Sequence, residues 1–581
     1  MPASRLLAAA AAAAIALPAL AQDTPPVPAP AAPGAVPQAP AAPTTAAPPA
    51  GGDESETGVV EVATDEVPEA QPAPTIEYPD FAKRDPSIVG RLDPASIGLG
   101  NDPWRGTSGA FLASLMRNMD TPVASRWAHI ALRNALLARA TAPGNVDPVD
   151  FAAERAWLLI RMGEADAGRM IVAGVDTDRF TPRMYEIGVQ SALANADPSA
   201  LCPLQDALQK ADPKIVQLVD AMCAALAGEP ETANAQIDSA RRRGRMTGID
   251  LELAQKVIGA GGNTNRAVDI KWDPVDQLDI WRFGLATATG MTFPDRLINN
   301  APPQLRAWQA SSPLISPQDR LQSAQIATGL GVFSSQSLVD LHSLIYDATD
   351  PDDLPSIPAW QVRQAFVGKD EATRLDAMRK LWSASSDYLP LEASRALLGR
   401  AAITVEPNAD LQSDAPNLIA SMLAAGFDKQ AARWANAVGQ MDDQYADQAW
   451  AMLALGAPDG TQIDLGARRI SAFIDRDKSE GKKRSALLVA GLAGLGRLDR
   501  ETAANLSGRF DLRLDHRSAW SSAIDRTRSP GTVLVLIGTG FQSPTFGGLP
   551  PAHLFHSIAA LKRTSQEFTA RMIAAEALAR T

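Results

Sequence analysis

Residues 123–140 read VASRWAHIALRNALLARA and predict an amphipathic helix. Apolar side chains recur three and four positions apart, the spacing that places residues on one side of a helix. The residues expected on that face are Val123, Trp127, Ile130, Ala131, Asn134 and Leu137. Ala142-Pro143-Gly144 then ends the pattern, because proline and glycine both interrupt helices.

The same pattern continues from about residue 104 to residue 581, and strict alternation of apolar and polar residues is nearly absent. Alanine and leucine, two strong helix formers, dominate this region. A capping side chain directly before proline, a frequent start of a helix, occurs at Asp147, Asp197, Asp212, Asp273 and Ser316. The sequence therefore predicts an all-α body.

Four short segments repeat one arrangement, in which a helix reaches a glycine and an alanine-rich stretch follows within a few residues. They are residues 157–167, 222–233, 422–431 and 492–503. Each resembles the helix–turn–helix core of tetratricopeptide-type repeats. The resemblance covers these short stretches and implies stacked antiparallel helix pairs, the α-solenoid arrangement of many repeat proteins of the bacterial envelope.

The first 21 residues, MPASRLLAAAAAAAIALPALA, have the layout of a secretory signal peptide. Arg5 supplies the positive charge, residues 6–17 are apolar, and residues 19–21 form the small-x-small pattern that signal peptidase requires. We expect cleavage after Ala21 and a periplasmic or secreted protein. The apolar run is shorter than the roughly 20 residues that span a membrane, and no later run reaches that length, so we expect no integral membrane segment in the mature chain.

Residues 22–103 are expected to form a disordered linker that is first rich in proline and alanine and then acidic. Residues 22–80 contain ten acidic residues and no basic one, which accounts for most of the net charge of −12. The body is therefore close to neutral, which argues against a nucleic-acid partner. Its clearest loops divide it into three helical segments, 104–262, 263–404 and 405–581.

Cys202 and Cys223 are the two cysteines of the chain. Export to an oxidising compartment and positions on neighbouring helices favour a disulfide bond between them. The alternative is a pair of buried thiols, since free cysteine packs as a small apolar residue. Two sulfurs 21 positions apart lack the close spacing of zinc ligands, and we expect no metal or cofactor.

Residues 441–450, MDDQYADQAW, hold the best indication of an enzyme. Asp443 and Asp447 would lie one turn apart on a helix beside aromatic residues. Glycan-cleaving enzymes use paired carboxylates, one as the acid and the other as the base or nucleophile. The alternative is that acidic residues at the start of a helix stabilise its positive end.

The other groups that could carry chemistry are interpreted as structural. His553 and His556 share a helix face but have no third metal ligand nearby in the sequence. The acidic residues of 347–353 lack the glycine of a calcium loop, and residues 538–540 lack the third glycine and the parallel sheet of a phosphate-binding loop. His129, His342 and His516 are isolated, and the basic residues of 241–245 are expected to close a helix.

The sequence therefore favours an exported α-helical repeat protein that binds a protein or an envelope polymer and acts as a scaffold without catalysis. The concave surface of a superhelix suits such contacts. The alternative is a secreted glycan-active hydrolase or lyase on an all-helical toroid, with Asp443 and Asp447 as its carboxylates.

Overall fold

The structure, a computed structural model, describes residues 79–581 except 206–207, 209–212, 243–247, 263–267, 511, 513 and 515–516. The predicted signal peptide, the linker as far as residue 78, Asp212 and His516 lie outside the described residues. Residues 84–581 form one compact unit. A second unit ends at Lys83, and its described end holds the 3-10 turn Asp80–Ala82.

The described part of the body contains 27 α-helices. The first nine are α1 Gly109–Asn118, α2 Arg126–Leu137, α3 Pro148–Met162, α4 Ala165–Val172, α5 Pro182–Ala194, α6 Pro213–Leu226, α7 Pro230–Arg242, α8 Ile249–Gly261 and α9 Ile280–Ala288. The next nine are α10 Asp295–Asn299, α11 Pro303–Ser311, α12 Pro317–Leu330, α13 Ser335–Asp347, α14 Pro358–Val367, α15 Glu371–Trp382, α16 Tyr388–Ala402, α17 Ala415–Ala424 and α18 Asp428–Ala432. The last nine are α19 Ala435–Val438, α20 Asp443–Gly456, α21 Ala467–Arg476, α22 Lys483–Leu495, α23 Arg500–Arg509, α24 Ala519–Arg526, α25 Pro530–Gly540, α26 Pro551–Arg563 and α27 Glu567–Ala579.

Short 3-10 helices occupy several of the connections, at Thr177–Arg179, Pro198–Leu204, Leu354–Ser356, Ala409–Leu411, Glu480–Lys482 and Phe546–Gly548. The strands in the described residues are β1 Ile88–Val89 and β2 Ala140–Thr141, which pair antiparallel.

Successive helices pack as pairs, and each pair packs against the next. The closest neighbours are α6 with α7, α11 with α12 and α16 with α17, while α12 and α16 join one pair to another. This arrangement confirms the predicted all-α class built from stacked helix pairs. Most of the helices bury an apolar side against their neighbours, which supplies most of the free energy of such a fold.

The glycines of the four repeated segments end helices in the left-handed conformation. Gly163, Gly228, Gly426 and Gly496 have φ of +107°, +85°, +85° and +68°. A residue without a β-carbon is favoured there, because other residues rarely adopt positive φ. These turns connect α3 to α4, α6 to α7, α17 to α18 and α22 to α23. Two of them continue into buried acids, Glu164 and Asp428.

The ordered body begins before residue 104, where the linker was expected to end. Val89 and Leu99 are buried, and β1 pairs with β2. The backbone amide of Arg91 donates to Leu137 O at 2.8 Å, a carbonyl that the end of α2 leaves without a helical partner. Arg155 donates to the carbonyls of Val89 and Leu136 at 2.9 and 2.8 Å, and burial lowers its pKa to about 9. The linker assignment for residues 84–103 is therefore wrong.

Helix α2 is shorter than predicted and presents a different face to the core. Its buried residues include Arg126, His129 and Leu132, whereas Trp127 and Ile130, which the apolar pattern placed inside, remain half-buried. The helix begins where the side chain of Ser125 accepts from Ala128 N at 3.0 Å. Arg126 and His129 face the core because each has a buried partner, as described below.

Helices near the two ends of the body are in contact. Helix α2 packs against α25 and α27, and α1 also packs against α25. The backbone amide of Ala124 donates to Phe541 O at 2.9 Å, and Gly531 N donates to Pro103 O at 2.9 Å. No helix among the described residues is both long enough and apolar enough to cross a membrane.

Candidate functional site

Asp443 and Asp447 lie on one face of α20, as the sequence predicted, and both bind arginines of α21. Arg476 donates to Asp443 at 2.8 Å and to Asp447 Oδ2 at 2.6 Å, and Arg469 donates to Asp447 Oδ1 at 2.7 Å. Hydrogen bonding to Asp447 raises the pKa of the Arg476 guanidinium above its ordinary value. Both oxygens of Asp447 are therefore engaged in joining α20 to α21.

The aromatic residue beside this pair also serves the helix–helix contact. The guanidinium of Arg469 lies 4.2 Å from the centre of the Trp450 ring, and the indole donates to Asp464 O at 2.8 Å. Neither aspartate lines the cavity described next. The glycan-cleaving role of Asp443 and Asp447 stays a prediction. In this geometry the carboxylate of Asp447 is bound by arginines on both oxygens and is not free to act on a substrate.

A partly open cavity of about 460 Å³ lies where three helices begin. Lys483 opens α22, Ser518 caps α24, and Pro551 opens α26, and all three line the cavity. His553 and His556 on α26 line it as well, so the structure brings the predicted histidine pair to one wall. The volume falls within the range of small-ligand pockets.

The hydrogen bonds of the two histidines fix which ring nitrogen carries a proton. His553 Nδ1 lies 2.9 Å from Gly540 O, and His556 Nδ1 lies 3.1 Å from Asp525. A carbonyl or a carboxylate accepts, so each Nδ1 is the donor. In the neutral rings Nε2 then has the lone pair. Trp520 packs against both rings, with its ring centre 4.4 Å from that of His553 and 6.3 Å from that of His556.

A second exposed feature is a pair of aromatic rings where α2 meets α27. Trp127 and Phe568 pack edge to face with ring centres 5.5 Å apart, and Phe568 is 40% exposed. Arg126 lies 5.7 Å from the Trp127 ring and Arg571 5.9 Å from the Phe568 ring. Gly426 fits beneath both rings, because a β-carbon there would lie 3.1 Å from Trp127 and 3.6 Å from Phe568.

Buried charges hold the backbone below these rings. Glu576 on α27 accepts from Ser125 Oγ at 2.5 Å and from the amides of Arg126 and Trp127 at 2.7 and 3.2 Å. These are the first amides of α2, which have no partner within the helix. Arg126 donates in turn to Thr328 O at 2.9 Å and to Ala424 O at 2.7 Å, and burial lowers its pKa.

The same buried cluster extends to α16. Arg580 lies 3.7 Å from the centre of the Tyr388 ring and pairs with Glu576. Tyr388 donates to Ala124 O at 2.9 Å, and burial raises the pKa of its hydroxyl. Burial also raises the pKa of Glu392, which lies 3.8 Å from Arg395. These groups bond one another and the backbone, so we assign them to stability.

His129 and Glu164 form a second buried pair between α2 and the turn after α3. Their atoms Nε2 and Oε1 lie 3.0 Å apart, and Arg133 approaches the same oxygen at 3.4 Å. Sequence reasoning left His129 isolated because Glu164 is 35 positions away. The sequence pattern that could have indicated Glu164 is an acidic residue directly after a helix-ending glycine, as at Gly163-Glu164.

The other candidates have structural surroundings. Asp350 accepts from the amide of Asp352 in a local turn at 3.2 Å. Residues 538–540 form the end of the buried helix α25. Arg241 closes α7 and lies 3.9 Å from Asp238. Within the described residues, no three His, Cys, Asp or Glu side chains are placed to hold a metal ion.

Cys202 and Cys223 form the predicted disulfide, with sulfurs 2.06 Å apart. It joins the 3-10 helix Pro198–Leu204 to α6. Comparison with known proteins finds no matching family model, no matching curated protein and no matching solved structure.

Proposed function

We propose that this chain is an exported binding module of the bacterial envelope, with a helical body that binds a partner protein. The stacked helix pairs and the disulfide support the proposal, because a rigid helical stack offers a large surface and disulfides persist outside the cytoplasm. The N-terminal signal-peptide pattern supports export.

The aromatic pair Trp127–Phe568 is the observation that carries this proposal. Binding energy at protein interfaces concentrates in a few aromatic and arginine side chains. Here two rings lie together over two buried arginines, Arg126 and Arg571, and the backbone below them is held by Glu576 and by the turn at Gly426. A partner meeting this surface would order few side chains, which lowers the entropic cost of binding.

Site-specific photo-crosslinking in the native envelope tests the proposal. A benzophenone side chain placed at position 568 is expected to give one reproducible protein adduct. The matched control is position 111, because Phe111 is 43% exposed and lies on α1, which does not carry either residue of the pair. Phe568→Ala should reduce co-purification of the same partner by about tenfold, and Phe111→Ala should leave it unchanged.

Two outcomes would contradict this assignment. Adducts at 568 no different from those at 111 would remove the aromatic pair as the binding surface. Adducts with peptidoglycan fragments and no protein would replace the protein partner with an envelope polymer. Export is checked separately by sequencing the N-terminus of the periplasmic or secreted form, which is expected to start at Gln22.

A further inference from the structure

Glu392 on α16 is a buried carboxylate whose charge is poorly compensated. It is 2% exposed, and its Oε2 has no hydrogen-bond partner among the described residues. The cations nearest to this oxygen, Arg395 Nη1 and Arg580 Nε, lie 3.8 and 4.0 Å away, beyond hydrogen-bond distance. An ionised carboxylate in such a place bears the cost of leaving water and does not recover it through hydrogen bonds.

Glu576, the second carboxylate of the same buried cluster, has the opposite surroundings. It accepts from the hydroxyl of Ser125 and from the first amides of α2, and it pairs with Arg580. Hydrogen bonds to a carboxylate favour its charged form, and their absence favours the neutral form. When two carboxylates lie in such different environments, the proton goes to the one with fewer partners, which here is Glu392.

The arginines of the cluster have acceptors other than Glu392. Arg126 and Arg395 donate to backbone carbonyls, at 2.7 Å in the bonds to Ala424 O and Ala579 O. Arg580 pairs with the carboxylate of α27. A neutral side chain at position 392 therefore leaves each of these three arginines with an acceptor.

Burial raises the pKa of Glu392, and the neighbouring charges modify this effect. Those charges are Arg580, Glu576, Arg395 and Arg126, of which the carboxylate raises the pKa and the arginines lower it. Among the other helices packed against α16, α17 has no ionisable side chain, and α12 has none after Arg320. The ionisable residues of α13, α14 and α15 do not shift the pKa of Glu392; they are Asp340, His342, Asp347, Arg363, Glu371, Arg374, Asp376, Arg379 and Lys380.

We propose that Glu392 takes up a proton when the surroundings become more acidic, and that this proton tightens the joint at which α2, α16 and α27 meet. The proton removes a poorly compensated buried charge and its repulsion with Glu576, the group that holds the N-terminus of α2. Trp127 and Phe568 stand on α2 and α27, so the same joint fixes the position of the two rings. Acidification should then strengthen binding at the aromatic pair, and this last step rests on the proposed function.

The direction of the pH dependence follows from the raised pKa. The folded protein holds a proton on Glu392 more readily than the unfolded chain, in which the carboxyl has its ordinary pKa of 4.5. The stability that a neutral Glu392 provides is therefore full below about pH 4.5 and is lost as pH rises through the higher pKa of the folded state. A carboxylate that ion pairs hold in its charged form would give the reverse dependence.

Hydrogen exchange of the full chain tests the proton uptake. After correction for the intrinsic pH dependence of exchange, the amides of Arg126 and Trp127 are expected to exchange about tenfold more slowly at about pH 5.5 than at about pH 7.5. Both amides donate to Glu576 and report on the joint. The amides of α8 are the internal standard, because α8 packs against α6, α7 and α9 and not against α2, α16 or α27.

Glu392→Gln imitates the protonated side chain and keeps its size. It is expected to slow exchange of the same amides at both pH values and to raise the urea midpoint at about pH 7.5 above that of the parent. Glu576→Gln is the contrast, since it removes a hydrogen-bonded carboxylate and should lower the midpoint. Glu186→Gln, at an exposed ion pair, is the control and should leave exchange in α2 unchanged.

A lower urea midpoint in Glu392→Gln would overturn the proposal, because Glu392 would then act as an ordinary ion-pair partner. An identical change of exchange with pH in the parent and in Glu392→Gln would overturn it as well. Arg395→Met provides a second route if Glu392→Gln fails to fold. Loss of this cation raises the pKa of Glu392 further, so the slowing of exchange must move to higher pH, and exchange that does not move contradicts the proposal.

Partner binding separates this inference from the proposed function. About fivefold more of the partner captured at position 568 is expected to co-purify with the parent at about pH 5.5 than at about pH 7.5, and equal amounts with Glu392→Gln. Equal amounts with the parent at both pH values would overturn the regulation of binding, even where exchange responds to pH. Absence of any partner at position 568 would overturn the proposed function, while hydrogen exchange still decides whether Glu392 takes up the proton.

Discussion

Glu576 lies where the N-terminus of α2 meets the end of α27. One carboxylate accepts two backbone amides of α2 and the hydroxyl of Ser125, and it also pairs with Arg580. Among the described residues, no other side chain accepts from the amides of Arg126 and Trp127. A buried carboxylate in this position is stabilising only while all its partners are present.

Glu576→Gln is therefore expected to lower the free energy of unfolding by about 3 kcal/mol, because it leaves Arg580 without its closest carboxylate. Urea denaturation measures the change. The control is Glu186→Gln, since Glu186 is exposed and pairs with Arg183 on the surface, where a loss under about 1 kcal/mol is expected. Equal losses in the two variants would contradict a special role for Glu576.

His342 predicts a dependence of stability on pH. It is buried on α13, its Nδ1 has no partner among the described residues, and burial lowers its pKa to about 4. The unfolded chain has the ordinary pKa of about 6.5, so it binds a proton more readily than the folded one. The stability that neutral His342 provides is full above about pH 6.5 and falls as pH decreases toward 4.

Unfolding at about pH 7.5 and pH 5 tests this expectation in the parent and in His342→Leu. The parent should lose about 2 kcal/mol more than the variant on acidification, because only the parent gains a proton at position 342 on unfolding. Parallel losses in both proteins would show that His342 does not govern the response.

At the scale of elements, local patterns predicted which segments are helical and where several of them begin. Asp147 caps α3 and Ser316 caps α12 as expected, while the Asp273-Pro274 pair lies in a turn and α9 begins at Ile280. The prediction of the buried face of α2 was wrong, because hydropathy places Arg126 and His129 in solvent. Their carboxylate partners, Glu576 and Glu164, lie far away in the sequence.

The cavity could not be predicted from the sequence for the same reason. Its walls come from helix starts near residues 483, 518 and 551, and only their tertiary packing brings Lys483 beside His556. The pair of histidines was visible, because positions 553 and 556 share a helix face. The hydrogen bond between His556 and Asp525 was not visible, because no local pattern connects these two residues.

The disulfide connects two elements across a short stretch of chain, and the length of that stretch determines its expected contribution to the free energy of unfolding. Cys202 and Cys223 are 21 positions apart. A crosslink that closes a loop of this size lowers the conformational entropy of the unfolded chain, which stabilises the folded state by about 3 kcal/mol. Cys202→Ala/Cys223→Ala should lower the urea midpoint to that of the reduced parent. A reductant that shifts the parent but not the variant would attribute the change to this bond, and no shift in either would contradict it.

At the scale of the whole molecule, contact between α2 and the last helix, α27, distinguishes this body from a linear array of repeats. In such an array each repeat contacts only its neighbours, so losing the last one leaves the distant end intact. Here α27 packs against α2, α17, α20, α22 and α26. It also supplies Glu576 to α2 and Arg571 to Asp428.

A chain ending at Ser565, which lacks α27, is therefore expected to lose protection far from the deletion. Hydrogen exchange should show the amides of α2 exchanging about as fast as those of α26, because α2 loses the carboxylate at its N-terminus and part of its buried face. Phe568→Ala, which keeps α27 in place, is the control and should leave α2 protected. If α2 stays protected in the truncated chain while only α26 opens, the contact between the ends contributes little, and the body behaves as a linear stack.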